Sequence, residues 1–307
     1  MSSVLTGRRR RPGDLSLQTV AGAAALASCV LVGLVVWKVV DGSRSSLHAY
    51  GLRFVTRVAW NPVSGHELYG AGSFLFGTAL TSALSLLLAA PLALGVALYL
   101  SELAPRALRG PVTALVETLA AIPSVVVGLW GILVLGPLLR DHVEPTLHAA
   151  LGFIPLFGPP SASGSSVFTA VVVLAIMILP IVASISRELF LAVPGNLKEA
   201  ALALGTTRWE MVRGVVLPHA RGGIAAALIL GLGRAVGEAI AVTQVIGGGI
   251  GIHWNLFATG DTLASKIAAQ YQGATTQLQT SSLVYLALIL LAFSLVINVT
   301  AQWIVRR

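Results

Sequence analysis

Long apolar runs recur along the chain, and short polar segments separate them. A helix of about 20 apolar residues is long enough to cross the roughly 30 Å hydrocarbon core of a bilayer. Runs of that length lie at about 16–40, 71–100, 111–139, 167–191, 223–247 and 281–304. The pattern predicts an all-α polytopic membrane protein with six transmembrane helices. We expect residues 1–15 to form a basic tail and residues 16–307 a single transmembrane domain, with a polar loop at about 192–222.

The composition agrees with this pattern. Hydrophobic residues make up 56% of the 307 residues, and charged residues only 10%. Soluble domains carry about 25% charged residues. The composition therefore excludes an ordinary soluble domain and leaves the classes of multi-pass membrane protein open.

The distribution of basic residues predicts the orientation. With six spans, most of the positive charge falls on one side of the membrane, at Arg8 to Arg11, Arg106, Arg109, Arg187, Lys198, Arg208, Arg213, Arg221, Arg306 and Arg307. Because cytoplasmic loops carry an excess of Lys and Arg, we expect both termini and the loop at 192–222 to be cytoplasmic. Topology and contact with anionic membrane lipid account for the net charge of +8, so no nucleic-acid partner is expected.

Motifs of soluble catalysis are absent from the sequence. It contains no G-x-x-x-x-G-K-[ST] phosphate loop, no H-E-x-x-H zinc motif and no G-x-S-x-G nucleophile elbow. The single cysteine, Cys29, excludes an internal disulfide framework. We therefore expect a chain that is not an enzyme, with no catalytic residue, no metal site and no cofactor of its own.

Three charged residues lie in the interior of the apolar runs, more than four residues from either end: Glu117, Arg234 and Glu238. Each costs about 2.5–3.5 kcal/mol at the centre of a membrane helix, so such groups face a pathway or one another rather than lipid. Arg234 lies about eleven residues into the fifth run, roughly 16 Å along a helix and near the midplane. Glu238 is expected on the same face one turn nearer the outside, and Glu117 at a shallower depth in the third run.

Two roles are open for the Arg234–Glu238 pair. The planar guanidinium fork of Arg fits a tetrahedral oxyanion through two parallel hydrogen bonds, which favours a transient anion contact that Glu238 holds when the pathway is empty. A buried salt bridge that only fixes the register of two helices is the other interpretation. We favour the pathway, since small residues surround the pair and leave room beside it.

A polar segment between the fourth and fifth runs carries a recognisable spacing. Its residues Glu199, Ala200, Ala201 and Gly205 are followed by Val215, Leu217 and Pro218. An Ala-rich helix that ends at a Gly with positive φ forms a small, stiff projection. The spacing resembles the cytoplasmic coupling loop of permease subunits in ATP-binding-cassette (ABC) importers, although an ordinary amphipathic connector is the alternative.

Two further stretches are more specific. The segment G-L-G-R-A-V-G-E-A-I-A-V-T at 231–243 resembles the fifth-span signature of phosphate-specific ABC importer permeases, and A-A-I-P-S-V-V-V-G-L-W-G at 120–131 resembles their third span. The segments W-N-P at 60–62 and A-S-K-I-A at 264–268 are similar to the PstC type of subunit rather than the PstA type.

The resemblance implies a type I ABC importer permease fold in the bacterial cytoplasmic membrane. It implies a homologous second permease subunit (PstA-like), a cytoplasmic ATPase dimer (PstB-like) that uses the ATP, an extracytoplasmic phosphate-binding protein (PstS-like) and inorganic phosphate as substrate. The intramembrane Arg and Glu of the family correspond to Arg234 and Glu238. A permease for another oxyanion, such as sulfate or molybdate, remains open, and a membrane enzyme or scaffold without a pathway is the alternative from another class.

Overall fold

A computed structural model describes residues 12–306 of the chain. Within that range the regular elements are helices, and no strand longer than an isolated bridge occurs. Among the described residues, six helices are long and apolar enough to cross a membrane, which confirms the predicted count. They are Ser16–Gly42, Gly72–Leu103, Ser124–Leu151, Val167–Leu191, Arg208–Gly237 and Gln277–Trp303.

The α-helices, numbered in chain order, are α1 (Pro12–Gly42), α2 (Arg44–Tyr50), α3 (Arg53–Thr56), α4 (Gly72–Leu98), α5 (Arg106–Ala121), α6 (Ser124–Trp130), α7 (Gly136–Leu138), α8 (Glu144–Leu151), α9 (Val167–Leu191), α10 (Gly195–Ala203), α11 (Arg208–Met211), α12 (Leu217–Gly237), α13 (Ile240–Val245), α14 (Leu263–Gln270) and α15 (Gln277–Arg306). Single π-helical turns extend α4 or join neighbouring helices, at Tyr99–Leu103, Gly131–Leu135, Leu139–Val143 and Val212–Val216.

Helix α9 lies at the centre of the bundle. It packs along α4 and α12, and α12 also contacts α4 and α15. Alanines fill the contacts between these helices, at Ala89, Ala93, Ala175, Ala183, Ala227 and Ala235. Small residues let helix backbones approach closely in a membrane. By contrast, α1 contacts α2 and α15 at the edge of the bundle, and most of its side chains are exposed.

The third run, predicted as one span at 111–139, is divided in the structure. Helix α5 ends at Ala121, Ile122 is extended with ψ 128°, and α6 begins at Ser124. The cause is Pro123, because the proline ring disfavours the helical conformation of the residue before it. The membrane-length helix begins after this break, at Ser124, so Glu117 lies on α5 and not within one of the six long helices.

The fifth run, predicted as a span at 223–247, differs at both ends. It begins earlier, because the helix runs from Arg208 through a π turn into α12, and it stops at Gly237. Leu217 and Pro218 thus lie in the first turn of α12 rather than in a loop. Pro218 has no N–H to donate and its ring clashes with a carbonyl one turn back; the π turn Val212–Val216 just before it accommodates this defect.

Gly77 of α4 allows this long helix to approach the chain segment between α13 and α14 closely. A Cβ atom added there would lie 2.0 Å from the backbone carbonyl oxygen of Asp261. We expect Gly77→Ala to lower stability by about 1–3 kcal/mol, the usual cost of overpacking, seen as a lower midpoint of thermal unfolding. Gly95→Ala on the same helix meets no atom within 4 Å and is the matched control; equal midpoints for the two variants would contradict this account of the packing.

Candidate functional site

The structure brings Arg234 and Glu238 together. The Nη2 atom of Arg234 lies 3.8 Å from Oε2 of Glu238. The Arg234 side chain is 41% exposed, whereas that of Glu238 is only 9% exposed. The guanidinium therefore has a free face that the carboxylate does not cover, and this face is available to a ligand.

Glu238 occupies a break in the helix, which corrects the expectation that it continues the helical face of Arg234. Helix α12 ends at Gly237, Glu238 is extended with ψ 116°, and α13 starts at Ile240. Its Oε1 atom accepts a hydrogen bond from the backbone N–H of Ala241 at 3.4 Å. A carboxylate at the start of a helix is stabilised by free N–H groups and the helix dipole, so Glu238 is held by α13 while its other oxygen faces Arg234.

Close packing positions this break. A Cβ atom on Gly128 of α6 would lie 2.7 Å from the Cα atom of Ala241, and one on Gly131 would lie 2.8 Å from Cγ1 of Val245. Only glycine permits such an approach of α6 to α13. The two most specific motifs of the sequence, at 120–131 and 231–243, therefore contact each other at the site.

Arg234 and Glu238 line a groove of about 800 Å³ between α9, α12 and α15. Most of the remaining lining is apolar or small: Ile181, Ala226, Ile229, Leu230, Gly233 and Gly237. Two amides of α15, Asn298 and Gln302, also line the groove. They were not predicted from the sequence. The signal for them was available, since polar residues one helical turn apart in a long apolar run share a face.

Glu117 does not belong to this groove. It is exposed on α5, and no ion pair in the described range 12–306 includes it. A role for Glu117 in the pathway stays a prediction.

Four of the predicted coupling residues, Glu199, Ala200, Ala201 and Gly205, lie in a largely exposed segment that we call the coupling knob (residues 195–207), whereas Leu217 and Pro218 lie in α12. Glu199 and Ala200 are exposed on α10. Gly205 follows the helix with φ +86°, the left-handed conformation predicted for it and typical of a glycine that closes a helix. The apolar side chains of Leu204 (86% exposed) and Trp209 (63% exposed) project beside it.

The coupling knob is tied to two long helices. Lys198 Nζ lies 2.6 Å from Oε1 of Glu102, in the π turn that follows α4. The same ammonium donates a hydrogen bond to the carbonyl oxygen of Phe190 near the end of α9. Both charged side chains are largely buried, so these contacts connect α10 to the ends of α4 and α9.

The segment between α13 and α15 contains a second buried ion pair, which was not predicted from the sequence. Lys266 Nζ lies 3.3 Å from Oδ2 of Asp261, and both side chains are buried. Ser265 donates a hydrogen bond to Asp261, and Lys266 lies over the rings of Trp60 and Phe74. Burial raises the pKa of the Asp261 carboxyl. This network connects α14 to the start of α4 and to Trp60 in the segment before it.

Among the residues that the structure describes, no group of three His, Cys, Asp or Glu side chains could hold a metal ion. The polar groups that line the groove are one guanidinium, one carboxylate and two amides.

Comparison with known proteins places this arrangement in a family. Residues 89–307 match the family described as binding-protein-dependent transport system inner membrane component. A phosphate transport system permease protein PstC from Mesorhizobium japonicum is 42% identical, over 98% of this chain and 93% of that protein. The chain belongs to this family of transport permeases.

Other relatives extend the agreement. The permease is 41% identical to PstC of Pasteurella multocida, over 91% of this chain and 87% of that protein. It is 39% identical to PstC 2 of Mycobacterium tuberculosis, over 96% and 92%. The resemblance inferred from the third- and fifth-span motifs is confirmed, and the permease is a multi-pass protein of the bacterial inner membrane.

Solved structures show the fold. A bacterial alginate ABC transporter, in complex with an alginate pentasaccharide-bound periplasmic protein, has a chain that matches with a TM-score of 0.63 at 18% identity, over 96% of both chains. An inward-facing MetNI methionine ABC transporter matches with a TM-score of 0.55 at 22% identity, over 75% of this chain and 92% of that one. These matches confirm the ABC importer permease fold.

Proposed function

We propose that this permease is a PstC-type subunit of an ATP-driven phosphate importer and forms half of its translocation pathway. The observation that carries the proposal is Arg234, whose partly exposed guanidinium opens onto the groove between α9, α12 and α15. The names of the relatives support phosphate as the substrate.

Arg234 is the transient ligand of the anion. Its guanidinium donates parallel hydrogen bonds to two oxygens of a tetrahedral oxyanion. Glu238 competes for the same guanidinium from 3.8 Å away. Competition by a carboxylate that α13 already stabilises weakens the hold on phosphate, so that the anion is released rather than trapped.

Motion reaches this site from the cytoplasmic ATPase. Leu204 and Trp209 on and beside the coupling knob offer exposed apolar surface for docking. We propose Glu199, Ala200, Ala201 and Gly205 as contacts or supports of that docking surface, with Leu217 and Pro218 at the start of α12. Closure of an ATPase dimer moves the coupling knob, and the Lys198–Glu102 link transmits the movement to α4 and α9, against which α12 packs.

The remaining components follow from the family and the charge distribution. A homologous second permease forms the other half of the pathway, and an extracytoplasmic binding protein delivers phosphate. The excess of Arg and Lys on one side places both termini and the coupling knob in the cytoplasm. ATP is bound by the partner ATPase, and this chain contributes no catalytic group to its hydrolysis.

The test is uptake of labelled phosphate into vesicles that contain this permease with candidate partner permease, ATPase and binding protein. ATP is supplied on the side of the coupling knob and excess unlabelled sulfate on the other. We expect uptake that requires ATP and is unaffected by sulfate. Uptake blocked by sulfate would move the substrate to another oxyanion, and absence of uptake from an assembled complex would reject the transport proposal.

A further inference from the structure

The groove beside Arg234 contains more polar groups than its ion pair. Asn298 and Gln302 of α15 line it together with Arg234 and Glu238. In the described part of the chain, neither amide makes a side-chain hydrogen bond to another residue. An amide without a partner inside a membrane is unfavourable, so Asn298, within the sixth span, needs either water or a ligand in the groove. Gln302 is exposed and lies one residue before the end of that span.

The charge balance of the groove favours additional ligands for an anion beside Arg234. The guanidinium and the carboxylate are 3.8 Å apart and cancel each other formally. A phosphate ion that enters loses water from four oxygens, and one guanidinium cannot satisfy all of them. Because the other lining positions are apolar or glycine, the amides are the remaining side-chain donors among the described residues that line the groove.

The positions of the amides indicate in which direction the groove leads away from Arg234. The last two spans are consecutive and therefore antiparallel, and α12 begins on the side of the coupling knob. Along α15, Gln302 is one helical turn beyond Asn298 toward that same side. The groove extends along α12 from Glu238 back to Ala226, so the amides lie on the route from the Arg234 pair toward the coupling-knob side.

We propose that Asn298 and Gln302 are phosphate ligands that receive the anion from Arg234 and conduct it toward the cytoplasmic mouth. This inference rests on the proposed phosphate transport. Neutral amides suit the task, because hydrogen bonds without a charge on the donor are weaker than those of a guanidinium. The anion thus passes from a charged ligand to neutral ones and then to water.

Cysteine accessibility tests the route. The single native cysteine, Cys29, is replaced by Ser, and one new cysteine is introduced as Asn298→Cys, Gln302→Cys or Thr300→Cys. Thr300 is the matched control, since it is exposed, does not line the groove and lies on the opposite side of α15. The assembled transporter in inside-out vesicles is treated with an anionic, membrane-impermeant methanethiosulfonate, with and without ATP.

We expect labelling at positions 298 and 302 to be at least about tenfold faster than at 300 in one of the two nucleotide states, since the reactive thiolate requires an aqueous path. Inorganic phosphate should slow the labelling at 298 and 302. Equal rates at all three positions, or no labelling at 298 and 302 in either state, would overturn the proposal.

Uptake kinetics give the second measurement. Asn298→Leu and Gln302→Leu should each lower the maximal rate of phosphate uptake by about tenfold, the effect of losing one hydrogen bond to a charged group. The apparent KM should stay nearly unchanged, because the external binding protein captures the substrate. Thr300→Val is the control for a general disturbance of α15.

Phosphate transport and the role of the two amides are tested by different outcomes. If the wild-type transporter takes up no phosphate, the proposed function itself is wrong. If the wild type takes up phosphate and the two leucine variants match its maximal rate, only the role of the amides is overturned.

Discussion

Replacing Arg234 with Gln is expected to lower phosphate uptake by about a hundredfold or more, while the amount of permease in the membrane stays normal. The reason is the loss of a bidentate, charge-assisted contact with the anion, in which each hydrogen bond to a charged group contributes about 1.5–3 kcal/mol. Arg234→Lys keeps the charge but loses the planar fork, and its uptake should fall between those of Arg234→Gln and the wild type. Uptake of labelled phosphate, normalised to permease in the membrane, measures both.

The control must separate the loss of a ligand from the loss of an ion pair. Arg234→Gln leaves Glu238, which is 9% exposed, without its partner, so a loss of uptake by itself does not distinguish a lost ligand from a lost ion pair. The double variant Arg234→Gln, Glu238→Gln removes both charges, and we expect it to be stable and still inactive. Recovery of uptake in the double variant would reduce Arg234 to a structural residue. Arg221→Gln, on the same helix but outside the groove, should leave uptake unchanged.

The six spans could be predicted because burial in lipid imposes long, uninterrupted apolar runs. The two helix breaks within these runs could not be predicted from hydropathy, because hydropathy is continuous across them. At 122–123 a local signal existed in Pro123, which constrains Ile122. At Glu238 no proline marks the break; the close approach of Gly128 to Ala241 and the capping of α13 accompany it, and both depend on tertiary contacts.

The rarer a residue type is within membrane spans, the more easily it could be recognised as a site residue from the sequence. Arg234 and Glu238 stand out because ionisable groups are costly there, and the structure brings them within 3.8 Å. Asn298 and Gln302 are weaker signals, since amides are tolerated between helices. The Lys266–Asp261 pair lies in a segment of loop composition, where nothing in the pattern of polar residues indicates that both side chains are buried.

Gly205→Val should detach the coupling knob from its ATPase and abolish most uptake. Gly205 has φ +86° with no atom within 4 Å of an added Cβ, so the effect comes from the backbone and not from a clash. The left-handed conformation costs an ordinary L-residue about 1–2 kcal/mol, and a β-branched residue more. That corresponds to roughly a 5- to 30-fold loss of the docking-competent conformation, which co-purification of the ATPase and phosphate uptake would both register.

A matched glycine at the start of α10, the helix that Gly205 follows, makes this test specific. Gly195 begins α10, also has open space around an added Cβ, and lacks a positive φ. Gly195→Val should therefore retain ATPase binding and uptake. If both variants lost the ATPase equally, bulk on the knob surface rather than the turn at Gly205 would govern docking. If neither lost it, residues 195–207 would not be the coupling element, and the route from ATP hydrolysis to Arg234 through the Lys198–Glu102 link would have to be abandoned.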